Sequence, residues 1–189
     1  VLHWDAGTSS WVPGAVVTIP TYITPQMFGA VADGITDDSA AIQAAITSLG
    51  VEGGIVYFPM GQYRCNIVIT SNNIFLLGTG KVQSGYTAGA TTLLPFVNTS
   101  PCVTIGQGGA STRNVTLQSM SINGNTWGQD GVYILNTSMC CLRDVEVAYF
   151  ARDNVVVTAG AGQISVNTFL EDFNCEGAAR YGLYVYSDP

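Results

Sequence analysis

The chain is poor in charge of either sign and poorest in positive charge. Its 189 residues carry six Lys and Arg against thirteen Asp and Glu, a formal net charge of -7. A phosphate backbone needs an assembled basic surface, and six scattered cations do not make one, so nucleic acid is excluded as a partner. No Gly-rich phosphate loop of the Walker type occurs. Histidine appears once, at His3, and the five cysteines (Cys65, Cys102, Cys140, Cys141, Cys175) form no CxxC pair. A zinc site would have almost no ligands to draw on, so neither a metal nor a cofactor is expected. Odd in number, the cysteines read as buried reduced thiols, the mark of a chain made in a reducing cytoplasm. Hydrophobic residues reach 47%, yet no apolar run approaches the roughly 18 residues of a membrane span, and no basic, then apolar, signal segment is visible. Membrane insertion is not expected.

Helical periodicity is nearly absent as well. What is present instead is Gly (22 residues) with frequent Asn, Ser and Thr, the composition of short strands and tight turns. The one helical stretch lies in "FGAVADGITDDSAAIQAAITSLG", Phe28 to Gly50, where Ile42, Ala45, Ile46 and Leu49 form an apolar stripe. The pattern predicts a helix from about Asp37 to Leu49, capped by Thr36 or Asp37 and stopped by Gly50. "GGIVYFPMGQYRCN" then gives a strand, a turn and a second strand. Residues 1–27, with a small hairpin around "WDAG" and the Pro-rich "IPTYITP", read as a separate stem or leader.

From Asn66 onward the chain repeats. "LQSMSI" at Leu117, "LRDVEV" at Leu142 and "LEDFNC" at Leu170 align, each followed by a second short strand at "VYI", "VVV" and "LYV". A repeat in the mid-twenties is too short for a βαβ unit and fits a coil of parallel strands stacked about 4.8 Å apart. The inward columns are then Leu117, Leu142, Leu170; Met120, Val145, Phe173; and Ile122, Val147, Cys175. The column Ser119, Asp144, Asp172 breaks the alternation and marks a bend. Such a coil exposes its apolar first turn, and the helix before it is placed to cap that end.

The run "FGAVADGITDDSAAIQAAI…GGIVYFPMGQY" is similar to the start of the pectate-lyase-like, rhamnogalacturonase/epimerase-like superfamily. The elements "ITPQMFGA" and "VLHWDAGTSSWVPG" resemble bacteriophage tailspike and tail-fibre proteins. The first resemblance implies an all-β, single-stranded right-handed parallel β-helix with one N-terminal capping helix: stem at 1–27, helix and first strands at 28–65, coils from 66 to 189. The second implies a homotrimer on the virion, attached through the stem to other tail or baseplate proteins, made in a bacterial cytoplasm and facing host surface polysaccharide. A free microbial polysaccharide lyase or hydrolase, and a structural adhesion spike that does not cleave, remain the alternatives. The Asn-Thr-Asp, Asp-Asp, His-Gly and Arg-x-Lys set of pectinase-type hydrolases is not recognisable. The expectation is that the β-helix continues past Pro189, with any active groove further along.

Glycosidic cleavage needs two carboxylates in fixed register. Asp144 over Asp172, Glu146 near Glu171, and Asp130 in "WGQDGVY" are the candidates. Against them, Arg143 shares a column with Glu171, and Asp144 and Asp172 also suit turn capping. Trp127, Tyr133, Tyr149 and Tyr184 are the exposed-ring candidates, with Phe150 nearby, and they suit sugar stacking or a trimer interface. The sequons at Asn98, Asn114 and Asn136 are expected by chance in an Asn-rich β chain.

Overall fold

A computed structural model of the chain describes residues 2–5, 7, 10–13, 23–82, 89–107, 111–160, 163 and 165–187. Leu2–Asp5 and Ser10–Pro13 pair antiparallel, and the remaining strand pairings are parallel. The backbone joins the coil at Ile23, which bridges to Val56 ahead of Phe28.

The strands form a parallel β-helix with three faces. Its third face is a five-stranded sheet, one strand per turn: Ile67–Ile69, Val103–Ile105, Asp130–Leu135, Asp153–Ala159 and Tyr181–Ser187. The other two faces share the long strands Thr112–Asn123, Thr137–Ala148 and Val166–Glu176. Each long strand is bent at a left-handed residue: Ser119 (φ 55°), Asp144 (φ 51°) and Asp172 (φ 46°). This is the column read as a bend from the broken alternation. A second left-handed column, missed in the sequence, precedes it: Asn73, Asn114, Met139 and Asn167. Asn tolerates this region better than most residues, and Asn114 Nδ2 donates to Asn73 Oδ1 at 2.9 Å. The Asn114 sequon therefore belongs to a turn ladder. Asn136 is buried, its amide bonded to Gln107 O and Gly160 N.

The inward columns stand as the alternation predicts. Leu117 pairs with Leu142 and Leu142 with Leu170; Met120, Val145 and Phe173 follow, then Ile122, Val147 and Cys175. Val132, Val155 and Leu183 supply the third wall. All five cysteines are free thiols, three buried and two half-buried. Burial pushes the Cys140 and Cys175 thiols up to about 12, so they stay protonated and inert.

The helix runs Ser39–Ser48, shorter than the sequence pattern at both ends. Asp37 ends the strand Asp33–Asp37, and its carboxylate accepts from Ser39 N at 3.0 Å. Asp38 is at the cap position, but its buried carboxylate turns away to accept from Val31 N (2.7 Å) and Ala32 N (3.1 Å). The second acid of "DD" thus ties down the Phe-Gly-Ala turn. Ile42, Ala45 and Ile46 are buried over the first turn of the coil, with Leu49 packed at the margin. The helix also answers the open edge of Ile67–Ile69: Asn66 N donates to Ser39 Oγ (3.0 Å) and Val68 N to Gln43 Oε1 (3.2 Å). Beside it, Tyr63 is fully buried, its hydroxyl donating to Pro59 O at 2.9 Å.

Two outcomes follow from this end of the molecule. Ile46→Asp places an unpaired charge in the core and should cost about 4 kcal/mol; a melting curve matching the unsubstituted chain would refute the cap. Burial raises the Tyr63 phenol to about 12, while an unfolded tyrosine ionises near 10. Its contribution to stability is therefore complete below about pH 10 and lost as pH rises toward 12. Ultraviolet phenolate titration with Tyr63→Phe as reference should show one late-ionising tyrosine missing from the variant.

Candidate functional site

The outward side of the second face carries a cleft of about 320 Å3, lined by Gly34, Gln62, Arg64, Leu94, Asn123 and Trp127 among others. Strand register builds its floor. Gln62 and Thr92 are neighbours and Thr92 meets Ser121; Arg64 and Leu94 pair two residues further along, and Asn123 follows directly after Ile122, which meets Leu93. The loop after Thr112–Asn123 supplies the wall, and two glycines let it lie against the coil. A Cβ on Gly124 would stand 2.5 Å from Tyr149 O, and one on Gly128 2.6 Å from Pro95 Cγ. Trp127, 43% exposed, holds its ring against the Arg64 guanidinium, 5.6 Å from its centroid. Arg64 Nη2 donates to Pro95 O at 2.9 Å.

Further along the same face the segment before residue 83 crosses the coil. Val82 N donates to Ser121 Oγ at 2.9 Å, and Lys81 reaches two turns at once, 3.2 Å from Asp144 Oδ1 and 3.0 Å from Asp172 Oδ1. Partial burial pulls the Lys81 ammonium down, but Asp172 and then Asp144 outweigh it and hold its pKa above the usual lysine value. Lys81 is thus a permanent cation that clamps the bend. Glu146 lies buried in the column of Ser121, opposite Asn174. Its envisaged partner Glu171 is elsewhere: it stands opposite Arg143 and accepts from Arg143 Nε at 2.6 Å. The Arg143–Glu171 pair is as the column alignment predicts, and it removes Glu146–Glu171 as a couple.

On the third face Tyr133, Val156 and Tyr184 stand in one outward column. Together with Tyr186, Arg152 and Arg180 they line a groove of about 390 Å3. Tyr181, Tyr184 and Tyr186 stack in series at 5.0 and 4.9 Å, and Arg180 lies over the Tyr181 and Tyr184 rings. Asp130 is fully buried beneath this groove. It binds Arg152 through two nitrogens, with Arg152 Nε 2.7 Å from Oδ1, and accepts from Asp153 N. Asp153 repeats the arrangement one turn on with Arg180 and Tyr181 N. Each carboxylate raises the pKa of its arginine. Tyr149 sits at a left-handed bend (φ 59°) and donates to Glu176 Oε1 at 2.7 Å. Phe150, considered as an exposed ring, is core.

Six of the eight sequence candidates therefore fall into three places, while Glu146 and Tyr149 stand apart from them. Trp127 is in the cleft, Asp144 and Asp172 are joined through Lys81, and Tyr133 and Tyr184 share the third-face groove above Asp130. Arg64, Gln62, Lys81, Arg152 and Arg180 were missed. Arg64 is 63 residues from Trp127 and nothing local links them, whereas Asp153 and Arg180 could have been found by carrying the repeat alignment through the third face. Among the described residues, no cluster of three or more His, Cys, Asp or Glu side chains could hold a metal ion.

The family model described as rhamnogalacturonase A/epimerase, pectate lyase-like, matches residues 26–185. The chain belongs to this family. Among its relatives, Depolymerase 1, capsule K30/K69-specific, of Klebsiella phage K5-2 is 33% identical over 103 residues, covering 54% of this chain and 12% of that protein. Among solved structures, ORF18 of Geobacillus virus E2 superposes with a TM-score of 0.65 at 24% identity, covering 84% of this chain and 34% of that one. The A-module of Mannuronan C-5 epimerase AlgE4 from Azotobacter vinelandii gives 0.64 at 22%, covering 86% and 53%. At these identities the two structures share the pectate-lyase-like fold. The matched stretches span 6% to 13% of the lengths of curated relatives.

Removing the counter-charge tests Asp130 as a structural ion. Arg152→Ala leaves a buried carboxylate without its partner and should cost about 3 kcal/mol. Asp130→Asn, which removes that charge, should restore much of the loss when added to Arg152→Ala. Thermal melts of the two single variants and the double variant measure this; independent, additive losses would refute the pairing.

Proposed function

We propose that these coils are part of a polysaccharide-recognising β-helix, displayed as a homotrimer on a phage tail. In this reading the stem ahead of Ile23 faces other tail or baseplate proteins and the outward faces meet host surface glycan. The Trp127 cleft is the observation that carries it. A half-exposed ring flanked by the amides of Gln62, Asn123 and Asn125 offers what a sugar needs, a flat apolar surface with hydrogen-bonding groups at its rim. The likeness to a capsule depolymerase of a Klebsiella phage over 54% of this chain supports the phage setting.

Recognition is what the described coils supply in this reading, and any bond cleavage belongs outside them. Asp144 and Asp172 are held by Lys81, Asp130 by Arg152, and Glu171 by Arg143. A general acid must give up a proton and a nucleophile must reach the sugar, and carboxylates locked to cations do neither well. A free polysaccharide-modifying enzyme is the second reading, favoured by the likeness of the coil to the epimerase A-module.

The test uses the full-length protein on a capsule that its phage adsorbs to. Light scattering should return three chain masses. Trp127→Ala should weaken capsule binding about tenfold, equivalent to roughly 1.4 kcal/mol, without changing the melt. Unchanged capsule affinity would overturn the reading.

A further inference from the structure

The outward side of the third face differs from the other two in its charge. Its five strands contain two acids, Asp130 and Asp153, and no Lys or Arg. Arg152 and Arg180 reach in from just ahead of two of these strands and pair with those acids one to one. The face is therefore neutral, and the whole net charge of -7 lies on the rest of the chain. The first face carries the exposed Arg143–Glu171 pair, and Lys81 crosses the second to Asp144 and Asp172.

The neutral face is also covered with rings. Val156 points outward in the column of Tyr133 and Tyr184, yet it is only 2% exposed. The rings lie down over it. The Tyr133 hydroxyl meets that of Tyr186, two turns on, at 3.1 Å, and Tyr184 stacks between Tyr181 and Tyr186. Arg180 lies over two of these rings while Asp153 holds its guanidinium. Tyr133, Tyr184 and Tyr186 nevertheless stay half-exposed. Side chains already fixed by their neighbours lose little freedom when a partner covers them, so the ordering cost of binding is low. Tyr and Arg are also the residues that dominate the buried centres of protein interfaces.

We propose that the third face is where copies of this chain meet, with the Tyr133, Tyr184 and Tyr186 rings of one copy against those of its neighbours. This rests on the homotrimer reading above and adds which side of the coil lies inside the assembly. Charge selects another copy as the occupant. The rest of the molecule carries the excess of acid and repels its like, whereas third faces come together without trapping an unpaired charge between them. The rings climb with the coil at about 4.8 Å per turn. Copies standing side by side with their coils parallel thus meet ring to ring at the same height, over the turns of Asp130–Leu135, Asp153–Ala159 and Tyr181–Ser187.

Ruthenium-sensitised photo-oxidation of the full-length protein tests this, because it joins two touching tyrosine rings by a carbon–carbon bond. Persulfate takes up the two electrons, and the two protons are released. Denaturing gels should show joined chains, and light scattering on the same sample should return three chain masses. Tyr133→Phe, Tyr184→Phe and Tyr186→Phe together keep the apolar rings and should lower the joined yield about tenfold with the melt unchanged. Three chain masses without joined chains, or a joined yield that survives the Phe substitutions, overturn the third-face contact and leave the homotrimer intact. The face then belongs to another occupant, a glycan or a tail protein. A single chain mass overturns both. If the Phe variant loses its melt, the peptide map of the unsubstituted protein decides alone. Linked peptides holding Tyr133, Tyr184 or Tyr186 in the joined band and missing from the single-chain band support the contact, and their absence overturns it.

Discussion

Everything in this molecule depends on each turn of backbone lying flat on the last, so that amides and carbonyls of one turn meet those of the next. That ladder tolerates no drift in register, because a slip of one residue would send every inward side chain outward. The chain therefore has to change direction at the same points on every turn. Left-handed residues do this: Asn73, Asn114, Met139 and Asn167 at one corner, Ser119, Asp144 and Asp172 at the next. The corners set where outward side chains fall, and so they set where a site can be built.

A stacked ladder also creates its own problem at the first turn, where one edge has no neighbour. Part of the solution is polar and part apolar. Ser39 and Gln43 answer the amides of Asn66 and Val68, while Ile42 and Ile46 close the end of the core. Asp38 fixes the turn that delivers the helix to that position. The single α-helix among the described residues thus follows from the coil having a first turn.

The parts legible in the sequence are those governed by period and by repeat. The inward columns, the bend at Asp144 and Asp172, the Arg143–Glu171 pair and the apolar stripe of the helix each follow from counting residues along one strand or between aligned strands. The site was less legible. Trp127 was visible as a lone ring beside glycines, but its partner Arg64 comes from an early turn of the second face and meets it only through the path of the loop. Lys81 was invisible because its segment lies across the coil and belongs to no repeat. The third-face ladder of Asp130 and Asp153 was in principle readable. It was obscured because an acid before a glycine or an asparagine reads as a turn residue, and only stacking turns it into a buried ion.

That ladder has a direction. Asp130 is neutralised by Arg152, which comes later in the chain, and Asp153 by Arg180, later again. The turns of Asp130 and Asp153 thus each carry a buried negative charge that the following turn neutralises. Cutting the coil after either of these turns would accordingly leave a buried carboxylate without its cation, so each of the two is complete only with the turn that follows it.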